Sequence, residues 1–163
     1  KFETDLLNFQ SMKSLILTCF LVTTFHAFSQ SGLSEDNAKT IVNVFFDGFH
    51  KGDTTLMRSV MVKNMRMQSV YTLKSEGNKM SMVRDTDFLA NVAVNAKKYQ
   101  WKEDILEYRV SIDGNLAHVW TPYMFYTAGK LSHCGANSIT LVETNDGWKI
   151  YHIIDSRRIS CEP

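Results

Sequence analysis

Apolar residues recur at helical spacing early in the chain, where Ala38, Ile41, Val42, Phe45 and Phe49 share one face. Ser34 stands before this run and Glu35 and Asp36 fall in its first turn, an arrangement that satisfies an orphan amide and suits the positive end of the helix dipole. Gly52 stops the helix. Asp53 then caps a short second helix with Leu56, Met57, Val60 and Met61 on one side. Alternation of Met65, Met67, Ser69 and Tyr71 with Arg66, Gln68 and Val70 predicts a strand from Met65 to Leu73, and Lys74 to Lys79 reads as a loop. Asp85 is the expected cap of a third helix, whose apolar face is Phe88, Leu89, Val92, Ala93 and Ala96.

From Tyr99 onward the period changes from helix to strand. Leu106, Tyr108, Val110 and Ile112 alternate with Ile105, Glu107, Arg109 and Ser111, and Asp113-Gly114 signals a tight hairpin. The next strand, Asn115 to Thr127, contains Pro122, which removes a ladder donor and predicts an edge, a bulge or a bend there. Gly129-Lys130 turns the chain again. Leu131 to Thr144 and Trp148 to Ser156 then complete a four-strand meander, with the turn Asn145-Asp146-Gly147 between them. Helices followed by antiparallel strands predict an α+β fold, a curved antiparallel sheet wrapped into a cone around the Phe-rich first helix.

This pattern restricts the candidate chemistry. A two-residue turn at Asp113-Gly114 sets His118 opposite Arg109 and Trp120 opposite Glu107, which makes His118 a surface residue. A two-residue loop after Thr127 pairs Tyr126 with His133 and puts Met124 opposite Gly135; a three-residue loop sets Phe125 against His133 instead. A Tyr and His on one wall form a candidate proton-transfer pair. In the last strand Ile150, His152 and Ile154 share one face while Tyr151, Ile153 and Asp155 share the other, so His152 and Asp155 do not form a dyad. A three-residue final turn sets Asn137 opposite Asp155 at the mouth of the cone, and an arginine of Ser156-Arg157-Arg158 is the simplest structural partner for that aspartate. The aromatic and Met content, with Trp101, Trp120, Tyr123, Met124, Phe125 and Tyr126 close together, suits an apolar cavity, or equally an ordinary core or dimer face.

Composition adds a compartment. Met12 to Gln30 has a positive end at Lys13, an uncharged apolar run from Leu15 to Phe25 and a small-x-small site at Ala27-Phe28-Ser29, the pattern of a secretory signal peptide cleaved before Gln30. Residues 1–11 read as an upstream extension, 12–29 as the signal peptide and 30–163 as a single domain, exported to a periplasm or secreted. The apolar run is too short to span a bilayer. Cys19 lies inside that run, where a lipid-attachment cysteine would normally follow it.

The chain has a formal net charge of +1, and removal of Lys1, Lys13, Glu3 and Asp5 with the leader leaves it unchanged. Without a basic run there is no footprint for nucleic acid. Cys134 falls opposite position 158 or 159 across the last hairpin, which brings Cys161 close enough for a disulfide; the alternative is a buried cysteine and a free tail thiol. No metal-ligand spacing, phosphate loop, nucleophile elbow or dinucleotide fingerprint is present, so neither a metal nor a cofactor is expected.

Taken together, GFHKGD at the end of the first helix, the later long helix, IDGNLAHVWTPYMFY, the GKLSHCG turn and the terminal GWKIYHIIDSRR resemble the nuclear transport factor 2-like superfamily, whose architecture is also called cystatin-like. Within it the resemblance is to exported bacterial SnoaL-like and lumazine-binding-like proteins, over Leu33 to Arg158. The resemblance implies the cone fold and a range of activities that includes isomerases, dehydratases, cyclases, ligand binders and dimerising subunits. The leading expectation is an exported protein binding a small, partly apolar molecule, with Trp120, Tyr123, Met124, Phe125 and Asn137 as binding residues. The second is a cofactor-free enzyme using His133 or Asp155 as base and Tyr126 or Tyr123 as acid or oxyanion donor. The third is an assembly module, and a homodimer is compatible with all three.

Overall fold

The computed structural model describes residues 32–161. The expected upstream extension and signal peptide lie outside the described residues. Helix α1 (Glu35–Lys51) begins where Ser34 Oγ accepts from the Asn37 amide at 3.1 Å, and it ends at Gly52, whose φ of 65° lies in the left-handed region. It buries Ala38, Val42, Phe45, Phe46 and Phe49. Helix α2 (Thr54–Ser59) is capped by Asp53, which accepts from the Leu56 amide at 2.9 Å.

Strand β1 (Met61–Leu73) forms a hairpin with β2 (Gly77–Arg84), although the sequence predicted a loop through Lys79 and no strand after it. The reason is an unusual alternation. On β2 the apolar Met80 and Met82 are 66% and 69% exposed while Ser81 faces inward, so the pattern of a half-buried strand is absent.

Helix α3 (Asp85–Asn95) has Arg84, not Asp85, as its N-cap residue, and Arg84 makes no side-chain cap bond. Asp85 instead joins three elements. Its buried carboxylate accepts from Arg58 Nη1 on α2 at 2.5 Å, from the Asn64 amide of β1 at 3.1 Å and from the Thr86 amide at 2.9 Å. The hydrogen bond from Arg58 holds this carboxyl below the usual carboxylate range.

The strand expected from Tyr99 is two strands, β3 (Lys102–Ile105) and β4 (Arg109–Asp113), both paired with β5 (Leu116–Thr127). The break falls opposite Pro122, whose carbonyl accepts from the Leu106 amide at 2.9 Å. A residue in a strand directs its N–H and C=O to the same side, so the donor missing from proline is missing on the β3/β4 side.

Strands β6 (Lys130–Thr144) and β7 (Gly147–Arg158) complete a sheet of order β2-β1-β7-β6-β5-β3, with β4 also on β5. The fold is α+β. The pairs are antiparallel except β1 with β7, which is parallel, a departure from the all-antiparallel sheet expected.

Three details of register differ from the expected ones. Asp113 pairs with Leu116, so the turn is Gly114-Asn115; His118 then faces Ser111, Trp120 faces Arg109, and His118 is exposed on the outer surface as anticipated. Near the β5–β6 turn Thr127 pairs with Lys130, yet a bulge beyond Leu131 brings Phe125 opposite His133. A second bulge, at Tyr151, lets Thr144 pair with Gly147 and still sets Asn137 opposite Asp155. It also turns Ile150 inward with Ile153 and Asp155, rather than outward with His152. The core packs Val42, Phe45, Met57, Leu89 and Val92 of the helices onto Met65, Val119, Ile139, Leu141, Ile150 and Ile153 of the sheet.

Candidate functional site

The registers align a row of polar residues across the inner face of the sheet. Thr121 on β5 pairs with Asn137 on β6, Asn137 with Asp155 on β7, Asp155 with Ser69 on β1, and Ser69 with Ser81 on β2. Thr121, Asn137, Asp155 and Ser69 are buried. The adjacent row, Val119, Ile139, Ile153, Met67 and Val83, is apolar throughout. Polar side chains at inward positions cost desolvation free energy unless they are hydrogen-bonded, and the four buried members of this row are.

Asp155 is the centre of the bonding. Its Oδ1 accepts from Ser69 Oγ at 2.5 Å and from Arg157 Nη2 at 3.3 Å, and its Oδ2 accepts from Arg157 Nε at 2.7 Å and from the Tyr123 hydroxyl at 3.0 Å. Tyr123 also lies 3.1 Å from the Ser156 carbonyl. Its burial, and next the negative charge of Asp155, raise the phenol well above its ordinary range, so it remains a donor.

A second carboxyl, Glu103 on β3, faces the same space in a different state. Its Oε1 accepts from Asn137 Nδ2 at 2.7 Å, and the same amide nitrogen donates to Thr121 Oγ1 at 3.2 Å. No other hydrogen bond reaches the Glu103 carboxyl among the described residues. Burial pushes it up to about 8, against the lowering effect of the Asn137 bond. The strand that carries it is tied to α1, because the Glu103 amide donates to His50 Nε2 at 2.9 Å. His133 on β6 has its ring centroid 4.8 Å from that of Phe125, and burial, assisted by the Arg157 charge, lowers its affinity for a proton.

Opposite the polar row stands a wall of rings. Phe45, Phe49, Phe88 and Trp101 are nearly parallel: Phe45 to Phe88 at 6°, Phe49 to Phe88 at 2° and Phe49 to Trp101 at 16°, with centroids 5.8–6.3 Å apart. Between wall and row lies a cavity of about 380 Å³, and the exposed Val83, Asp87 and Asn91 at its edge form a rim between β2 and α3. A wider groove of about 750 Å³ lies on the far side of Trp101, lined by His50, Lys97, Lys102, Asp104 and Tyr126. It lacks the buried polar cluster.

The structure separates the residues singled out from sequence. Tyr123, Phe125, His133, Asn137 and Asp155 line the cavity. Trp120 and Met124 do not, and Tyr126 lines the groove instead. The pleat explains this: Tyr123 and Phe125 face inward, so their alternate neighbours Trp120, Met124 and Tyr126 take the other side. Tyr126 is therefore no partner for His133, whose ring neighbours are Tyr123 and Phe125.

Sequence reasoning missed Glu103, Ser69 and a role for Arg157 beyond pairing. Glu103 sits in a short strand of mixed polarity, KEDI, where no alternation marks the inward position. Cys134 and Cys161 form a disulfide with Cα atoms 5.7 Å apart. Among the described residues, no cluster of three or more His, Cys, Asp or Glu is placed to hold a metal ion, and no helix is long and apolar enough to cross a membrane.

No protein-family model and no curated protein sequence matches the chain. Its structure is similar to solved structures of the nuclear transport factor 2-like, cystatin-like fold. A nuclear transport factor 2-like superfamily protein from Salmonella enterica serovar Typhimurium is 15% identical, with a TM-score of 0.59 over 78% of this chain and 93% of that one. A candidate ketosteroid isomerase from Shewanella frigidimarina is 20% identical, with a TM-score of 0.55 over 76% of this chain and 95% of that one. A candidate dehydratase of the same fold from Streptomyces avermitilis is 14% identical, with a TM-score of 0.56 over 77% and 96%. The chain has the nuclear transport factor 2-like fold.

Proposed function

We propose that this nuclear transport factor 2-like chain is an exported protein that binds a small, partly apolar molecule between the ring wall and the polar row. The observation that carries the reading is the pairing of two unlike surfaces in one cavity of about 380 Å³, a volume within the usual range for small-molecule sites. An ordinary core position for Ser69, Thr121, Asn137 and Asp155 would be apolar. Export is supported by the leader pattern of Met12 to Gln30 and by the Cys134–Cys161 disulfide, which an oxidising compartment favours.

The test is the native mass of protein exported and processed in cells, compared with its denatured mass. A retained small molecule supports the reading. A native mass equal to the bare chain, with no small molecule recovered on denaturation, counts against it.

A cofactor-free enzyme is the second reading, and Glu103 favours it. A carboxyl pushed up to about 8 beside a neutral phenol changes its ionisation near neutral pH, the condition under which a proton is most readily exchanged with a substrate. Two structures of the same fold are a candidate isomerase and a candidate dehydratase, both reactions of proton transfer. Turnover of a ligand identified by mass would decide between binding and catalysis. The outer sheet face, with Trp120, Val142 and Ile154 half-buried and Val70 38% exposed, suits a homodimer. A monomer in sedimentation at high concentration would remove that part of the proposal.

A further inference from the structure

We infer that the cavity selects an uncharged, flat molecule whose hydrogen-bond acceptor meets the Glu103 carboxyl, and that it discriminates against the carboxylate of the same skeleton. This inference rests on the cavity-binding reading above and adds the class of ligand.

The charges around Glu103 decide the point. Tyr123 on β5, His133 on β6, and Asp155 and Arg157 on β7 line the same cavity, and Asp87 on α3 stands at its rim. His50 on α1 holds the Glu103 amide, while Lys102 and Asp104, its neighbours in β3, pair with each other at 2.8 Å and line the groove beyond Trp101. Of the groups lining the cavity, Arg157 alone brings a fixed positive charge. Its Nε and Nη2 are committed to Asp155, whose two oxygens are further occupied by Ser69 and Tyr123. An entering anion therefore meets a neutralised ion pair, a neutral imidazole and a second carboxyl. It would lose its hydration without gaining an unshared cation.

Glu103 offers the complementary feature. Asn137 occupies Oε1 as donor, which leaves the other oxygen of the acid as the place for the proton. A carbonyl or hydroxyl oxygen on the ligand accepts from it. Burial, which pushes this carboxyl up to about 8, keeps the donor form at neutral pH. A flat skeleton follows from the opposite wall, where four aromatic side chains, Phe45, Phe49, Phe88 and Trp101, line the cavity and pack favourably against another ring.

The test uses the mature chain with two probes of one skeleton, 2-acetylnaphthalene and 2-naphthoate, followed by calorimetry and by the fluorescence of Trp101 and the other tryptophans. At about pH 6.5 the ketone binds at least about tenfold more tightly than the naphthoate. At about pH 9.5 its affinity falls by about tenfold, as Glu103 loses the donor proton. Glu103→Gln offers a weaker N–H donor that does not titrate, so it binds the ketone less tightly than the parent at about pH 6.5 and shows no fall towards about pH 9.5; its melting curve verifies that it folds.

Naphthoate binding equal to or tighter than the ketone, through the remaining edge of Arg157, overturns the selection for neutral ligands alone. An unchanged pH profile in Glu103→Gln overturns the assignment of Glu103. Binding of neither probe overturns this inference together with the reading on which it rests.

Discussion

Tyr123 on β5 reaches Asp155 on β7 across the strand between them, and its hydroxyl donates to Oδ2 at 3.0 Å. The residue crossed is Gly135, which pairs with Tyr123 on one side and Arg157 on the other. A Cβ at that position would lie 1.7 Å from the Ser156 carbonyl oxygen and 3.0 Å from the Tyr123 hydroxyl. Backbone cannot yield as a side chain can. Gly135→Ala is expected to cost more than about 3 kcal/mol in urea unfolding, or to prevent folding. A loss under about 1 kcal/mol would show that the strands part there without penalty.

The cluster around Asp155 has unequal members. Tyr123→Phe removes one donor of the four contacts and leaves the carboxylate held by Ser69 and Arg157, so a loss of about 1–2 kcal/mol is expected. Asp155→Ala strands three donors at once, two of them on buried residues, and the expected loss is about 2–4 kcal/mol. Chemical denaturation of both variants checks the order. Equal losses would mean that the Ser69 and Arg157 contacts to Asp155 add nothing beyond the one from Tyr123.

Glu103 makes stability depend on pH with a definite sign. Its folded value of about 8 stands above the 4.5 of an exposed glutamate, so the folded chain favours the neutral acid. That contribution is fully present below pH 4.5 and is lost as pH rises towards about 8. Glu103→Gln removes the titration. Relative to the parent, the variant should gain stability by up to about 1.4 kcal/mol per pH unit across that window, and nothing further above it. Melting curves of both proteins from acid to mild alkali measure it, and a constant difference contradicts the burial of this carboxyl.

The disulfide closes a loop with a sequence separation of 27 between Cys134 and Cys161. Cys134 lies beside His133, which lines the cavity, so the bond fastens the chain's end to the strand that supports the site. Reduction, or Cys161→Ala, should lower stability by about 2–4 kcal/mol. Melting with and without reductant tests this. Identical curves would show that the tail contributes nothing.

Much of the fold was legible because period and punctuation agree. Ser34 with Glu35 and Asp36, the Phe-rich face behind them and Gly52 define α1, and Asp53 defines α2. The site was legible in part. Pairing of Asn137 with Asp155 followed from turn geometry, although it is a bulge at Tyr151 and not a longer turn that produces it. Bulges leave no simple signature in a single chain, so the Tyr126–His133 pairing could not be told from the Phe125–His133 one. Glu103 was invisible for another reason. What distinguishes it is its place against Asn137 and Phe125, both distant in sequence, and not the strand in which it lies.

The most direct test of the cavity is a titration with N-phenyl-1-naphthylamine, a neutral dye that fluoresces on leaving water. It would be measured on residues 30–163 and on their Val83→Trp variant, which places a large ring at the exposed rim. The account predicts saturable binding of one dye per chain, weakened at least about tenfold by the rim substitution. Absence of saturation, or equal binding by the two proteins, would contradict a ligand site between the ring wall and the polar row.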